Sequence, residues 1–236
     1  MTAGRPGPGH AAAAGARQGK AAASPAEPGA SALWLWRHPR PQGAEGRCIG
    51  RTDLRLDPRR ARRLARRIRQ VVRAQGLPRT VYTSPLRRCA DVGRALARLG
   101  FEHRIDARLL ELDFGRWDGR AWATLNAADF AGWDADFEHH APGGGETVAA
   151  LRQRMQAFVA DLPPGPALVV AHAGWINALR VAGQGQLQPA DWPRPPAYGQ
   201  SLFIPNPCRS RPCPAAACGT PPPVPGSLRA ASARPG

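Results

Sequence analysis

The sequence predicts an α/β protein of three layers (α/β/α), in which helices cover both faces of a mainly parallel sheet. Short apolar runs alternate with longer segments of helical periodicity between residues 32 and 204. Two of these runs, "ALWLW" at 32–36 and "ALVVA" at 167–171, contain no polar residue. Uninterrupted apolar runs of this length are typical of strands that are buried on both faces, as in parallel sheets.

The predicted elements follow one another along the chain. We expect strands at 32–37, 79–84, 102–106, 167–172 and 201–204, and helices at 58–75, 85–99, 119–130, 146–162 and 174–182. Pro39 ends the first strand because proline lacks an N–H and restricts the residue before it. Asp57 is the expected cap of the first helix, which carries a clean apolar stripe. Ser84 is expected to cap the second helix, with Pro85 in its first position.

The two ends of the chain differ in composition from the middle. Residues 1–30 contain 21 alanines, glycines and prolines, and residues 205–236 contain nine prolines. Neither end has enough apolar surface to offset the entropy of ordering the chain. We therefore expect a disordered Ala/Gly/Pro-rich segment at 1–30, a single domain at 31–205 and a disordered Pro/Ala-rich tail at 206–236.

The chain is strongly basic, with a formal net charge of +16. The densest run of arginines lies on the outer face of the predicted helix at 58–75, and we interpret it as a solvated face. No segment approaches the roughly 18 apolar residues that cross a bilayer. Only Cys48 and Cys89 precede the tail, which is typical of a reducing compartment. The sequence predicts a cytoplasmic protein with no nucleic-acid and no membrane partner, and it predicts no particular oligomeric state.

Cationic and polar side chains stand where three of the predicted strands end. Arg37 and His38 follow the first strand, Ser84 and Arg88 follow the second, and His172 ends the fourth. Ligands of open α/β sheets bind at the carboxyl ends of the strands, so we expect these side chains to meet. Guanidinium groups and the free N–H groups of a helix start both bind phosphate. The sequence therefore predicts a phosphate pocket at this edge of the sheet.

Five motifs resemble those of the histidine phosphatase superfamily, which has the phosphoglycerate mutase-like fold. They occur in the family's order as "LWRHP", "YTSPLRRC", "LLELDFGRWDG", "PGGGET" and "VVAHAG". The resemblance covers about residues 32 to 204. It implies phosphatase activity on a small-molecule phosphate ester, with no cofactor and no metal.

The resemblance also implies a role for each matching residue. His38 resembles the nucleophile that becomes phosphohistidine, and His172 resembles the second histidine, which holds the phosphoryl oxygens. Arg37 and Arg88 match the arginines that grip the phosphate, and Glu111 matches the acid that protonates the leaving group. These roles agree with the chemistry, because a neutral imidazole is nucleophilic and phosphoryl transfer needs mainly positioning and charge neutralisation.

One loop narrows the resemblance to α-ribazole phosphatases, which remove the phosphate of α-ribazole 5′-phosphate during cobalamin nucleotide-loop assembly. This loop is "GRCIGRTDLRL" at 46–56, and "AYGQSLFI" at 197–204 also resembles that group. We expect Gly50 and Thr52 of the loop, together with Ser84, to contribute to phosphate binding. α-Ribazole 5′-phosphate is the predicted substrate.

The chain departs from the family pattern at two places close to the predicted pocket. Pro39 and Arg40 stand where the first motif has a glycine and an acidic residue. "CADV" at 89–92 replaces the usual Ala-x-Gln-Thr. Both departures bear on substrate specificity.

Several alternative functions stay open. They are a broad-specificity small-molecule phosphatase, a phosphoglycerate mutase-like enzyme, a metal hydrolase that uses "DADFEHH" at 134–140, and a basic nucleic-acid-binding protein. The short separation of Glu111 and His172 argues against a mutase. A cysteine phosphatase is excluded, because Leu54 and Ala95 stand where that chemistry needs an arginine.

Overall fold

The computed structural model describes residues 32–205. Its strands are β1 (Ala32–Arg37), β2 (Thr80–Thr83), β3 (Glu102–Ile105), β4 (Ala167–Ala171) and β5 (Ser201–Pro205). Its α-helices are α1 (Pro58–Gln75), α2 (Arg87–Ala97), α3 (Ala127–Ala135), α4 (Val148–Ala160) and α5 (Ala173–Arg180). The segments predicted to be disordered, 1–30 and 206–236, lie outside the described residues.

The five strands form one sheet in the order β3-β2-β4-β1-β5. β3, β2, β4 and β1 run parallel to one another. β5 lies at the edge of the sheet and is antiparallel to β1. The predicted α/β fold with a mainly parallel sheet is confirmed. Because β2, β4 and β1 lie side by side and run in the same direction, their carboxyl ends share one edge of the sheet.

Helices α1 and α2 cover one face of the sheet. Asp57 caps α1 by accepting the N–H of Arg59, as predicted. The apolar stripe of α1 is buried against the sheet residues Trp36, Val81 and Leu168. Its buried members are Ala61, Leu64, Ala65, Ile68 and Val72. The spacing of three and four residues keeps the stripe on the sheet side and leaves the arginines outside.

Helices α4 and α5 cover the opposite face. Leu33 and Leu35 alternate with Trp36 along β1, so they point to this second side of the sheet. The helices contribute Leu151, Met155, Phe158, Trp175, Ile176 and Leu179 to the same apolar core. Full burial of each such side chain contributes roughly 1.5 to 3 kcal/mol to the free energy of unfolding. The two cores therefore make the edge of the sheet a rigid support for a site.

The helix predicted at 119–130 is wrong in its position. The chain makes a short 3₁₀ turn at Trp122–Thr124, and α3 begins only at Ala127. Asn126 caps this helix, and its side chain and that of Asp129 form a reciprocal capping box. The capping box fixes the helix start at Ala127, eight residues after the predicted start at 119.

The start of α2 is also wrong in the prediction. Ser84 does not cap the helix, since its Oγ accepts the N–H of Leu86 at 3.2 Å within a turn, and α2 begins at Arg87. The free N–H of Arg87 donates instead to Oδ1 of Asp53 at 2.6 Å. A carboxylate from a distant loop thus satisfies the helix start, so Pro85 stays outside the helix.

No helix within residues 32–205 has both the length and the apolar character needed to cross a membrane.

Candidate active site

The histidines predicted at two strand ends lie together at the carboxyl edge of the sheet. β1 and β4 are paired in register up to Arg37 and Ala171, so the residues that follow them, His38 and His172, are neighbours. Their ring centroids are 5.0 Å apart. Both side chains are buried, with 5% of His38 and none of His172 exposed. The site is therefore shielded from bulk water at its base.

The ring of His38 is held in one tautomer. Its Nδ1 lies 2.8 Å from the carbonyl oxygen of Pro39, which can only accept, so Nδ1 carries the proton. The neutral ring then has its lone pair on Nε2. Burial, followed by the charges of Arg88 and Arg37, lowers the pKa of His38 well below its usual range. No residue described by the structure is hydrogen-bonded to Nε2, so His38 is a neutral imidazole in the form that can attack phosphorus.

Arg88 enters the site from the first turn of α2, whereas Arg87 points to solvent. Arg88 is 1% exposed, and its guanidinium makes three hydrogen bonds. Nη1 donates to the carbonyl of Thr52 at 2.7 Å and Nη2 to the carbonyl of Gly50 at 2.6 Å. Nε donates to Nδ1 of His172 at 3.2 Å. The positive charge of Arg88 therefore lies beside both His38 and His172.

His172 ends β4 and stands at the start of α5. Because Arg88 can only donate, Nδ1 of His172 accepts and its Nε2 carries the proton. Burial, followed by the charges of Arg88 and His38, lowers the pKa of His172 well below its usual range. Sγ of Cys89 lies 3.5 Å from this Nε2. His172 is therefore a neutral imidazole with its proton on Nε2, and contact of this N–H with a phosphate stays a prediction.

The loop of Gly50 and Thr52 is shaped by a carboxylate that the sequence interpretation did not assign. Asp118 accepts the N–H groups of Gly50, Arg51 and Thr52 at 2.9, 2.7 and 2.7 Å. The three bonds turn the carbonyls of Gly50 and Thr52 toward Arg88. A Cβ on Gly50 would overlap the carbonyl oxygen of Leu112, so only glycine fits there. The main chain of Gly50 and Thr52 supports Arg88, and direct phosphate contact by either residue stays a prediction.

Ser84 lies at the end of β2 and is fully buried. Its hydroxyl stabilises the turn that leads from the strand to Arg88. Its contact with a phosphate stays a prediction.

Glu111 reaches the same site from the chain between β3 and α3. Its Oε1 accepts the N–H groups of Leu112 and Trp175 at 3.0 and 3.2 Å, and its Oε2 accepts that of Gly174 at 3.1 Å. A Cβ on Gly174 would overlap Oε1 of Glu111. The carboxylate has about four lone-pair sites, so three N–H donors leave one on Oε2 for a proton.

A partly buried ion pair holds the main chain around Glu111. Arg154 of α4 donates to the carbonyls of Arg108, Leu110 and Glu111 at 2.7, 2.6 and 3.0 Å. Its Nε and Nη2 also bind the carboxylate of Glu146 at 2.6 and 2.9 Å. These charge-assisted hydrogen bonds fix the main chain from residue 108 to residue 111.

Arg37 forms the other side of the site. Its Nη1 donates to the carbonyl of Pro196 at 2.6 Å, and its guanidinium carbon lies 3.8 Å from the ring centroid of Tyr198. Nε of Arg37 is buried and has no hydrogen-bond partner among the described residues. The ring of Tyr198 also lies 5.5 Å from that of His38. Arg37 thus retains an unused donor beside the nucleophile.

A cavity of about 490 Å³ opens above these groups. Arg37, Glu111, Gly174 and Tyr198 lie in its wall, so it is continuous with the site. Much of the remaining wall is aromatic or aliphatic, contributed by Ile49, Leu112, Phe114, Trp122, Trp133, Val148, Trp192 and Pro195. A space of this size holds the organic part of an ester as well as its phosphate.

The other chemical groups named from the sequence do not join this site. Cys48 is free and buried, and burial raises the pKa of its thiol to about 12. His139 of the segment 134–140 is exposed and bonds to Asp136 at 3.1 Å. Within residues 32–205, no three His, Cys, Asp or Glu side chains are grouped so that they could hold a metal ion. Cys208, Cys213 and Cys218 lie outside the described residues.

A comparison with family models agrees with this geometry. The model described as "Histidine phosphatase superfamily (branch 1)" matches residues 33–202, which includes every strand end of the site. The chain belongs to the histidine phosphatase superfamily. Several of its relatives are named as phosphatases, and this histidine phosphatase is a phosphoric monoester hydrolase that acts on small phosphate esters.

Two relatives with different substrates are similar to this histidine phosphatase. Glucosyl-3-phosphoglycerate phosphatase of Mycobacterium tuberculosis is 31% identical over 171 residues, which cover 61% of this chain and 75% of that protein. Adenosylcobalamin/alpha-ribazole phosphatase of Escherichia coli is 31% identical over 118 residues, which cover 44% of this chain and 58% of that protein.

Solved structures agree with the fold. The native structure of the mycobacterial glucosyl-3-phosphoglycerate phosphatase superposes with a TM-score of 0.59 at 29% identity, covering 74% of this chain and 89% of that one. The alpha-ribazole phosphatase of Shigella flexneri superposes with a TM-score of 0.61 at 24% identity, covering 74% and 96%. The second likeness bears on the fold alone.

The sequence alone did not identify four residues of the site as functional. Asp118 and Glu146 stand inside the motifs "LLELDFGRWDG" and "PGGGET", so their place in a motif was a usable signal. Tyr198 likewise stands inside "AYGQSLFI", whereas Arg154 carries no local signal, because its partners are distant in the chain.

Proposed function

We propose that this histidine phosphatase is a metal-independent phosphomonoesterase that works through a phosphohistidine on His38. The observation that carries the proposal is the geometry of His38, a buried imidazole whose Nδ1 lies 2.8 Å from the carbonyl oxygen of Pro39 and whose Nε2 has no hydrogen-bond partner within residues 32–205. Arg37 and Arg88 stand beside it, so a phosphate dianion would be drawn to the nucleophile.

The first half of the reaction transfers the phosphoryl group to the enzyme. The lone pair on Nε2 of His38 forms a bond to phosphorus while the bond from phosphorus to the ester oxygen breaks. The ester oxygen takes that electron pair and a proton from Oε2 of Glu111, and it leaves as an alcohol. Arg37, Arg88 and the Nε2–H of His172 neutralise the charge on the three phosphoryl oxygens.

The second half releases phosphate. Glu111, now a carboxylate held by three N–H groups, takes a proton from a water that attacks phosphorus. The bond from phosphorus to nitrogen breaks, and its electron pair returns to Nε2 of His38. Inorganic phosphate leaves and the neutral imidazole is restored. Two guanidinium groups supply the positive charge in both halves, so the proposal requires no divalent metal.

α-Ribazole 5′-phosphate is one proposed substrate. Its benzimidazole is a flat apolar ring, and the cavity wall contains Phe114, Trp122, Trp133 and Trp192. The similarity to the Escherichia coli enzyme supports this substrate. With it, the protein would act in cobalamin assembly in the cytoplasm, where the free thiols of Cys48 and Cys89 stay reduced.

Glucosyl-3-phosphoglycerate is the second candidate substrate. Two observations favour it: the longer match to the mycobacterial enzyme, and the presence of Arg40 and Arg47 in the cavity wall. The two candidates differ in charge, since this ester carries a carboxylate beside the phosphate and α-ribazole 5′-phosphate has no second anion.

A panel of phosphate esters tests the proposal. Purified protein is assayed with α-ribazole 5′-phosphate, glucosyl-3-phosphoglycerate, phosphoserine and nitrophenyl phosphate, before and after dialysis against a chelator. We expect turnover of at least one ester, and we expect its rate after dialysis to stay within about twofold of the rate before dialysis. Activity that is lost on chelation and restored only by a divalent ion would reject the proposed chemistry, and so would the absence of turnover on every ester.

A further inference from the structure

The wall of the cavity contains more arginines than acids. Arg37 lies in the wall beside the nucleophile, and Arg40 and Arg47 lie farther out on the loop that follows β1. Two acids, Glu45 and Glu111, share this wall. In the proposed reaction Glu111 holds a proton when the ester binds, so in that state it carries no charge that would compensate the outer arginines.

Arg40 is the cation with spare binding capacity. Its side chain is about half exposed, and its one ion pair within the described residues is a 3.6 Å contact to the largely exposed Glu45. Such a pair contributes little, because water and salt screen it. Arg47, by contrast, already donates Nη1 to the carbonyl of Gly119 at 2.8 Å.

Arg40 lies close to the phosphate-binding side of the site. Its guanidinium carbon is 5.5 Å from the ring centroid of Tyr198, and that of Arg37 is 3.8 Å from the same centroid. The two guanidinium groups are therefore neighbours around one aromatic ring. A hydrogen bond from Nη1 of Arg60 to the carbonyl of Arg40 holds the main chain at 2.8 Å.

We infer that Arg40 forms a second anion subsite, which binds a carboxylate carried by the leaving group close to the ester oxygen. The inference rests on the proposed function, because it assigns Arg37 to the phosphate. A guanidinium binds a carboxylate through two parallel hydrogen bonds, and the loose contact to Glu45 would exchange for this stronger one. The field of Arg47 adds to the attraction. The substrate class is then a phosphate ester of a hydroxy acid, in preference to an ester with a neutral leaving group such as α-ribazole 5′-phosphate.

Two small esters isolate the effect of the carboxylate. 3-Phosphoglycerate and glycerol 3-phosphate share the same primary phosphate ester, and they differ only in a carboxylate against a hydroxymethyl group. We expect the wild type to favour 3-phosphoglycerate in kcat/KM by about 5- to 10-fold at low salt, as for a partly exposed charge pair of about 1 kcal/mol. The preference should shrink as salt is raised.

Variants of Arg40 assign the preference to this side chain. Arg40→Gln should bring the ratio of the two kcat/KM values close to one, and Arg40→Lys, which retains the charge, should restore a preference of at least about twofold. Arg59→Gln is the matched control, because it removes the same charge from an exposed site on α1 outside the cavity. Its ratio should equal that of the wild type.

The outcomes separate this inference from the function on which it rests. Turnover of both esters with equal kcat/KM by the wild type would overturn the second subsite and leave the phosphatase mechanism intact. A preference that persists in Arg40→Gln would likewise overturn the assignment to Arg40. Absence of turnover on both esters and on nitrophenyl phosphate would overturn the proposed function itself.

Discussion

Arg88 donates its Nε–H to Nδ1 of His172 across 3.2 Å, and this bond determines which nitrogen of the second histidine carries a proton. Arg88 is itself oriented by two carbonyls of the loop at 50–52, whose N–H groups all bind Asp118. A carboxylate that touches neither histidine thus helps to orient the ring of His172 through one loop and one guanidinium. Asp118 is a positioning residue for the site.

The first prediction concerns this carboxylate. Asp118→Asn retains the shape but turns an N–H group toward three N–H donors, so the loop and Arg88 should shift. We expect kcat/KM to fall about 10- to 100-fold, as for the loss of a charge-assisted bond of roughly 1.5 to 3 kcal/mol. Asp134→Asn, an exposed carboxylate outside the site, is the control. Wild-type kinetics in Asp118→Asn would contradict the positioning role.

The second prediction separates the proton transfer of Glu111 from binding. An alkyl phosphate leaves as a strongly basic alkoxide and needs a proton, whereas nitrophenyl phosphate leaves as a stable phenolate. Glu111→Gln should slow the alkyl ester by about 10²- to 10⁴-fold, the usual contribution of a general acid, and slow the nitrophenyl ester far less. Equal losses on both esters would show that Glu111 only binds or positions.

The third prediction is a pH dependence. Burial, followed by Arg88 and Arg37, lowers the folded-state pKa of His38 well below the value of about 6.5 for a free imidazole. Below about pH 6.5 the unfolded chain therefore binds more protons than the native protein. The free energy of unfolding should decrease as the pH falls through this window.

Nuclear magnetic resonance of the histidine rings checks this prediction. The signals of His38, assigned by their loss in His38→Gln, should stay those of a neutral ring from pH 8 to 6 in the native protein and should titrate near 6.5 in urea. Native signals that titrate at 6.5 or above would be incompatible with the neutral nucleophile.

The fourth prediction concerns the ends of the chain. Within residues 32–205, the part of the chain that the structure describes, five strands, five α-helices and the candidate site form one packed unit. A shortened chain covering residues 31–205 should therefore retain the kcat/KM of the full chain within about twofold and its Tm within a few degrees. A tenfold loss of kcat/KM or a large fall in Tm would show that one of the ends packs on the domain or covers the site.

The parts of the fold that depend on neighbouring residues could be predicted from the sequence. An apolar run with no polar residue predicted the strands that precede His38 and His172, because burial on both faces demands it. The amphipathic stripe and the Asp57 cap of α1 are likewise local, and both were confirmed. Once three strands were assigned to one parallel sheet, the meeting of their ends followed from topology.

The parts that depend on distant partners could not be predicted. Asp53 satisfies the start of α2 from 34 residues away, which moved that start from Pro85 to Arg87. Asp118 lies 66 to 68 residues from the amides that it orients. Tyr198 meets Arg37 only because antiparallel β5 pairs with β1 at the sheet edge. No local pattern encodes such contacts.

The most direct measurement is detection of the phosphoryl group on Nε2 of His38. Glu111→Gln is mixed with nitrophenyl phosphate, because this ester can form the intermediate without an acid while its hydrolysis lacks a base. The reaction is quenched in alkali, in which phosphohistidine survives, and the peptides are sequenced by mass spectrometry. We predict an acid-labile phosphate on His38 and no phosphate in the His38→Ala, Glu111→Gln protein. Phosphate on another residue, or hydrolysis by His38→Ala at the wild-type rate, would contradict the mechanism.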